Sequence, residues 1–107
     1  MSIYLTLGSY TDKGAAGLVG AENVDRRAAM DAMCKSVGAK LVDYHITRGA
    51  YDFCVIAEAD SFAKITALTL RARASGTVDN LITLESVNVE KIRGVYKRVQ
   101  YTPPCGS

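Results

Sequence analysis

The sequence lacks the segments that would place a protein in or across a membrane. Its longest uninterrupted apolar run is Phe53–Ala57, far short of the roughly 20 residues that span a bilayer. The opening residues, MSIYLTLGSY, have neither the basic flank nor the continuous apolar stretch of a secretion signal. We therefore expect a cytoplasmic protein with no membrane partner.

The sequence also lacks an excess of charge of either sign. Its 107 residues include 13 Lys and Arg and 11 Asp and Glu, for a formal net charge of +2. Such a balance does not favour binding to nucleic acid. Hydrophobic residues make up 49% and charged residues 22%, which is typical of one globular domain of this length.

Cysteine spacing that would hold a metal or a disulfide framework is missing as well. Cys34, Cys54 and Cys105 are an odd number, and no CxxC occurs. Thiolate zinc sites and disulfide-rich domains need closer or paired spacing. We expect Cys34 and Cys54 to be small buried residues and Cys105 to be an accessible thiol. No metal and no cofactor is predicted.

Alternating apolar residues predict four strands and helical spacing predicts three helices. The strands are Ile3–Tyr10, Lys40–Thr47, Tyr51–Ala59 and Thr77–Val87. Asn23 is predicted to cap a helix that runs to Val37 and stops at Gly38, Ser61 a helix that ends at Gly76, and Asn88 a C-terminal helix. Gly14, Gly17 and Gly20 predict a loop with at most one short helical turn.

The resulting order, β-α-β-β-α-β with an extra C-terminal helix, indicates an α+β ferredoxin-like domain. In this arrangement two helices cover one face of a four-stranded antiparallel sheet. We expect the domain to comprise residues 1–90 and a basic C-terminal helix with a Pro-Pro tail to comprise 91–107. On that helix Ile92, Val95 and Val99 are predicted to face inward.

Alternation within the strands predicts which side chains meet the helices. Ile3, Leu5 and Leu7, together with Val42, Tyr44 and Ile46, are expected to face the helices, and Tyr4, Thr6, Tyr10, Leu41, Asp43, His45 and Thr47 the open side. The third strand is apolar on both faces, which is typical of strands buried on both sides. We therefore predict that open faces meet across a symmetric interface, in a homodimer or a larger oligomer built from dimers.

Polar side chains on the open side form the predicted site. Tyr4, Tyr10, Asp43, His45 and Asp52 are expected to line one cavity between paired sheets. Asp43 lies two residues before His45, the only histidine, so the carboxylate can orient the imidazole as a general base. The interpretation we favour over this one places both residues at the cavity mouth or at a subunit contact.

An ordered set of residues resembles the GYD domain family. It comprises Leu7-Gly8-Ser9-Tyr10-Thr11, Gly14, Gly17-Leu18, Arg26-Arg27, Gly38, Lys40-Leu41, Gly49-Ala50-Tyr51-Asp52 and Ser75-Gly76. The resemblance runs from about Ile3 to about Val89. It implies a relative of the dimeric α+β barrels, whose paired sheets enclose a small-molecule cavity, and it implies no particular reaction.

The Gly49–Asp52 motif has two interpretations, either as a turn or as part of a ligand site. Gly49 supplies a positive φ, and Tyr51 and Asp52 provide hydrogen-bonding groups for a turn. Added to the open-side residues, Tyr51 completes the candidate ligand-binding set of Tyr4, Tyr10, Asp43, His45, Tyr51 and Asp52. The favoured function is a small-molecule-binding or assembly protein. The alternative is a cofactor-free isomerase or monooxygenase, so whether the protein is an enzyme stays open.

Overall fold

The computed structural model describes residues 1–20 and 25–104. Four strands and four helices follow one another in the order β1 (Ser2–Tyr10), α1 (Asp12–Gly20), α2 (Arg26–Ser36), β2 (Lys40–Ile46), β3 (Phe53–Ala59), α3 (Phe62–Ala74), β4 (Val78–Glu85) and α4 (Val89–Tyr96). The strands form one antiparallel sheet in the order β2-β3-β1-β4. The predicted α+β ferredoxin-like fold is confirmed.

Helices α2 and α3 begin at side-chain caps and end at glycines. The Asp25 carboxylate accepts a hydrogen bond from the Ala28 N–H at 2.9 Å, and Ser61 caps α3 as predicted. Gly38 and Gly76 follow the two helices with φ of 75° and 78°, a conformation that favours glycine. Asn23, the predicted cap of α2, lies outside the described residues.

Helix α1 was expected to be a loop, and that prediction is wrong. Its glycines have low intrinsic helix propensity, but one of them is required by a tertiary contact. A Cβ on Gly14 would lie 2.0 Å from the Thr77 carbonyl oxygen. The start of α1 is held against the turn before β4 because the Thr11 N–H donates to the Thr77 carbonyl at 3.0 Å and the Thr11 hydroxyl to the Gly76 carbonyl at 2.6 Å. Packing therefore overrides propensity here.

On β1, the residues that face the helices are those that were predicted to face the open side. Tyr4 is 4% exposed, packs its ring against Phe62 of α3 at 5.7 Å, and pairs with Ala57 of the buried set on β3. Ile3, Leu5 and Leu7 point to the other side. Aliphatic residues were assigned to the core because of their polarity, but tyrosine rings fill the core when their hydroxyls stay accessible or find a partner.

A β-bulge at Val42 explains why the predicted facing of the β2 side chains is right for some residues and wrong for others. The register with β3 shifts between Leu41 and Asp43, so the alternation of faces changes phase at this point. Leu41 and Tyr44 consequently share the helix-covered face, whereas Asp43 and His45 lie on the open side. The prediction was wrong for Leu41, which it placed on the open side by assuming an unbroken alternation.

The open face of the sheet carries two rows of apolar residues. One row aligns Leu5 with Ile56 and Leu84, and the next aligns Leu7 with Cys54 and Ile82. We call these six residues the open-face patch. No helix covers this face in the described part of the chain. The prediction that β3 is apolar on both faces is confirmed.

The C-terminal segment, defined here as residues 84–104, is exposed throughout. Asn88 caps α4 as predicted, accepting from the Glu90 N–H at 2.8 Å. However, Ile92, Val95 and Val99 do not face inward, because they are 49%, 53% and 62% exposed. Every residue from Leu84 to Pro104 is exposed, and the longest dimension is 63 Å. Helix α4 thus presents an apolar stripe that no other described residue of the chain covers.

None of the helices in residues 1–20 and 25–104 has the length and hydropathy needed to cross a bilayer.

Candidate functional site

A cavity of about 290 Å³ lies between the helix-covered face of the sheet and helices α2 and α3. Strand β3 forms its floor through Phe53, Val55 and Ala57. The walls include Met30 and Met33 of α2 and Ile65 and Leu68 of α3. Its lining is therefore mainly apolar, as in most sites that bind small organic molecules.

Two tyrosine hydroxyls form a polar group in this cavity. The Tyr10 and Tyr44 hydroxyl oxygens are 2.5 Å apart, so one of them donates to the other and the second proton is available to another acceptor. The Tyr10 ring packs against Phe53 at 5.1 Å. Burial and the hydrogen bond to Tyr44 raise the pKa of Tyr10 above its ordinary value, so this hydroxyl stays protonated at neutral pH.

Arg26 lies beside the tyrosine pair at the start of α2. Its guanidinium carbon is 5.5 Å from the centre of the Tyr10 ring, within cation–π range. One terminal nitrogen donates to the Gly14 carbonyl at 3.1 Å. The Nε atom is buried and has no hydrogen-bond partner among the described residues.

The sequence contained a signal for Arg26 that the predicted site did not use. Arg26 occupies the apolar stripe of α2, in helical spacing with Met30 and Met33. A cation in such a stripe is directed toward the core side of the helix. Tyr44 was placed on the helix-covered face, correctly, but was not considered as part of a site.

Asp43 and His45 are neighbours, although they lie outside the cavity. A carboxylate oxygen of Asp43 is 2.9 Å from His45 Nε2, and the other is 2.8 Å from Arg27 Nη1. The hydrogen bond from Arg27 is the main cause that lowers the pKa of Asp43. The side chains of Asp43 and His45 are 41% and 56% exposed. Both side chains are therefore accessible to solvent and are not enclosed by the single chain.

The Gly49–Asp52 motif shapes the hairpin and anchors the end of β1. Gly49 has φ of 133°, a backbone conformation that favours glycine. Its predicted positive φ is confirmed. The Asp52 carboxylate accepts from the Tyr10 N–H at 2.9 Å, and the Asp52 N–H donates to the Gly8 carbonyl at 2.8 Å. Tyr51 accepts a hydrogen bond from Thr47 through its carbonyl. Asp52 thus fixes the backbone of Tyr10, a cavity residue.

The six predicted site residues do not share one cavity. Tyr10 lines the cavity between sheet and helices, Tyr4 is buried under α3, and Asp43 and His45 lie on the opposite face. Tyr51 and Asp52 belong to the hairpin. The expectation of a common location is wrong for Tyr4 and Tyr10 because the faces of β1 are reversed. A ligand role for each of the six stays a prediction.

Within the described residues, no three His, Cys, Asp or Glu side chains are grouped as a metal site requires.

Solved structures of similar shape are related to the chain by fold. FFRP-DM1 has a TM-score of 0.56 at 15% identity, with 81% of this chain and 100% of that one covered. TTHA0845 from Thermus thermophilus has a TM-score of 0.52 at 12% identity, over 82% and 95%. The hypothetical protein PHS023 from Pyrococcus horikoshii has a TM-score of 0.51 at 12% identity, over 82% and 92%.

No curated protein matches the chain. The family model of the GYD domain matches residues 4–95, which extends beyond the expected limit near Val89 and includes nearly all of α4. The boundary predicted at residue 90 stays a prediction. Because this match spans most of the sequence, the chain belongs to the GYD domain family.

Proposed function

We propose that this protein is an assembly module that works as a homodimer, with two copies meeting through their open sheet faces. The observation that carries the proposal is the open-face patch. Six residues from three adjacent strands form it in two aligned rows. Ile82 and Leu84 are exposed and the other four are partly buried, and contiguous accessible apolar surface of this kind marks an interaction site. A second copy offers the same apolar rows, so the surface is complementary to itself.

The exposed C-terminal segment supplies further contact area. A face of four strands, about 4.8 Å apart and about seven residues long, has a planar area on the order of 400 Å². A stable interface buries about 800 Å² on each partner. Helix α4 carries exposed Val89, Ile92 and Val95, which would bring the buried area toward that value. We therefore propose that α4 packs on the partner subunit.

A small-molecule site between the paired sheets is a narrower part of this proposal. With Tyr4 and Tyr10 on the other face, the predicted site residues that lie on the open side are Asp43 and His45. Their 2.9 Å contact supports the second candidate function, a cofactor-free isomerase or monooxygenase in which His45 takes a proton from the substrate. That function requires the partner subunit to enclose the pair, because both side chains are about half exposed in the single chain.

Light scattering coupled to size-exclusion chromatography tests the dimer. The wild-type protein should have the mass of two chains, or a multiple of it, at micromolar concentration. Leu5→Glu places a charge in the centre of the open-face patch and should give a folded monomer. Val19→Glu is the matched control, since Val19 is 84% exposed on α1 and its substitution should leave the dimer intact.

Ile92→Glu examines the contribution of α4 in the same experiment. It should weaken the dimer by about tenfold or more, since a charge replaces a contact residue. A wild-type monomer, or a Leu5→Glu variant that still has the mass of two chains, would contradict the proposal. Circular dichroism of each variant establishes that the domain is folded.

A further inference from the structure

We propose that the cavity between the sheet and helices α2 and α3 is a binding site for a small amphiphilic acid, with its carboxylate on Arg26 and the tyrosine pair and its apolar body along β3. This site is on the opposite side of the sheet from the open-face patch. The proposal therefore stands independently of the homodimer.

The charge of the lining favours an anion. Arg26 and Arg71 are among the residues around the cavity, and within the described part of the chain no aspartate or glutamate lines it. Asp52, the nearest acidic residue to Tyr10 along the hairpin, is engaged by the Tyr10 N–H. Among the described lining residues, a negatively charged group in the cavity would therefore meet two cations, while the nearby charge of Asp52 acts on Tyr10 from outside the lining.

Unused hydrogen-bond donors indicate where the acidic group lies. The buried Arg26 Nε has no acceptor among the described residues, and a buried donor left unpaired is unfavourable. Because the Tyr10 and Tyr44 hydroxyls hold two protons and use one between them, a second donor remains. A carboxylate has two acceptor oxygens and can take both hydrogen bonds, one from the guanidinium and one from the hydroxyl pair.

The remaining lining sets the size and character of the ligand body. Met30, Met33, Phe53 and Leu68 surround the cavity with apolar surface, and methionines adapt to irregular shapes. An apolar cavity of about 150 Å³ holds benzene. By that comparison the cavity of about 290 Å³ accepts about a dozen non-hydrogen atoms. A medium-chain fatty acid and a phenyl-substituted short-chain acid both have this size.

Isothermal titration calorimetry with three probes tests the proposal. Decanoate should bind to the wild-type protein. The uncharged decanol should bind at least about tenfold more weakly, because decanol lacks the carboxylate that pairs with Arg26. Phenylbutyrate, a carboxylate of the same size with a ring, distinguishes an alkyl from an aromatic preference. Binding of either acid in preference to decanol supports the proposal.

Two variants and one control locate the binding. Arg26→Met should weaken decanoate binding by about tenfold or more and leave decanol binding unchanged. Arg27→Met is the matched control, because Arg27 is the next residue on α2 and pairs with Asp43 outside the cavity. Ala72→Phe fills the cavity from α3 and should abolish binding of all three probes, whereas binding to the open-face patch would survive it.

Several results would overturn the site. These are equal affinity for decanoate and decanol, no binding of either acid, or equal affinities for decanoate in Arg26→Met and Arg27→Met. If Arg26→Met fails to fold, since Arg26 also holds the Gly14 carbonyl, the wild-type comparison of acid with alcohol decides the matter alone.

Discussion

The helix-covered face of the sheet carries Tyr4, Tyr10 and Phe53, whereas the open face carries Leu5, Leu7 and Ile56. On these two central strands the covered face thus holds aromatic rings, two of them with hydroxyl groups, and the open face holds aliphatic chains. This placement of the β1 side chains is the opposite of what their polarity alone would favour. Tyrosine is stable inside because its ring packs and its hydroxyl finds a partner, while aliphatic side chains outside indicate a surface that another molecule covers.

The largest expected effect that separates the two faces is on stability. Phe53→Ala removes a ring that is 4% exposed and should lower the free energy of unfolding by about 3–5 kcal/mol. Leu84→Ala, on the open face at 52% exposed, should change the unfolding of a monomeric background such as Leu5→Glu by less than about 1 kcal/mol. Urea denaturation followed by circular dichroism measures both. Similar losses for the two variants would mean that the faces do not differ in burial.

A smaller effect concerns thiol reactivity on the two faces. Cys34 is fully buried and burial raises the pKa of its thiol, so it should react with a thiol reagent only on unfolding. Cys54 is half-buried in the open-face patch and should react in the Leu5→Glu monomer but slowly in the wild type. Cys105, outside the described residues, is expected to react first. Mass spectrometry after timed labelling gives the order, and rapid labelling of Cys34 in the folded protein would contradict it.

The smallest effect lies at the edge of the open face, at Asp43. Its folded-state pKa is lowered by the hydrogen bond from Arg27, so this group stabilises the fold above the unfolded pKa of about 3.9 and the contribution is lost as the pH falls through the folded value. Arg27→Met should move the titration midpoint of the Asp43 carboxyl carbon, followed by NMR, to higher pH. Lys35→Met, which breaks the pair with Asp31, is the control that should leave Asp43 unmoved.

Apart from helix α1, the sequence was sufficient for the element order, but it was not sufficient for the facing of the strands. Period-two alternation identifies a strand without saying which set of residues is covered, and β1 has an apolar set and an aromatic set. Only β3, with Phe53, Val55 and Ala57 buried, decides the facing, and its two sets look alike in sequence. The bulge at Val42 also shifts the alternation of side chains along β2, and no local sequence pattern in β2 predicts that shift.

The site was less predictable because long-range contacts create it. Asp43 and His45 are two residues apart on one strand, so their contact followed from alternation. Tyr10 meets Tyr44 across 34 positions, and Arg26 joins them from α2 only when that helix is docked on the sheet. Helix α1 shows the same dependence, since Gly14 is needed for contact with Thr77, a residue far along the chain. In each case the contact joins residues that are far apart in the sequence, so local sequence patterns do not predict it.

The exposed segment from Leu84 to Pro104 has a consequence for how firmly this protein stays folded. In the proposed homodimer, association is linked to folding, so the stability of the folded chain depends on the amount of protein by mass action. Each tenfold dilution then lowers the apparent free energy of unfolding of the dimer by about 1.4 kcal/mol. A cell that reduces the level of such a protein would reduce its lifetime as well, because a larger fraction of chains would be open to proteases.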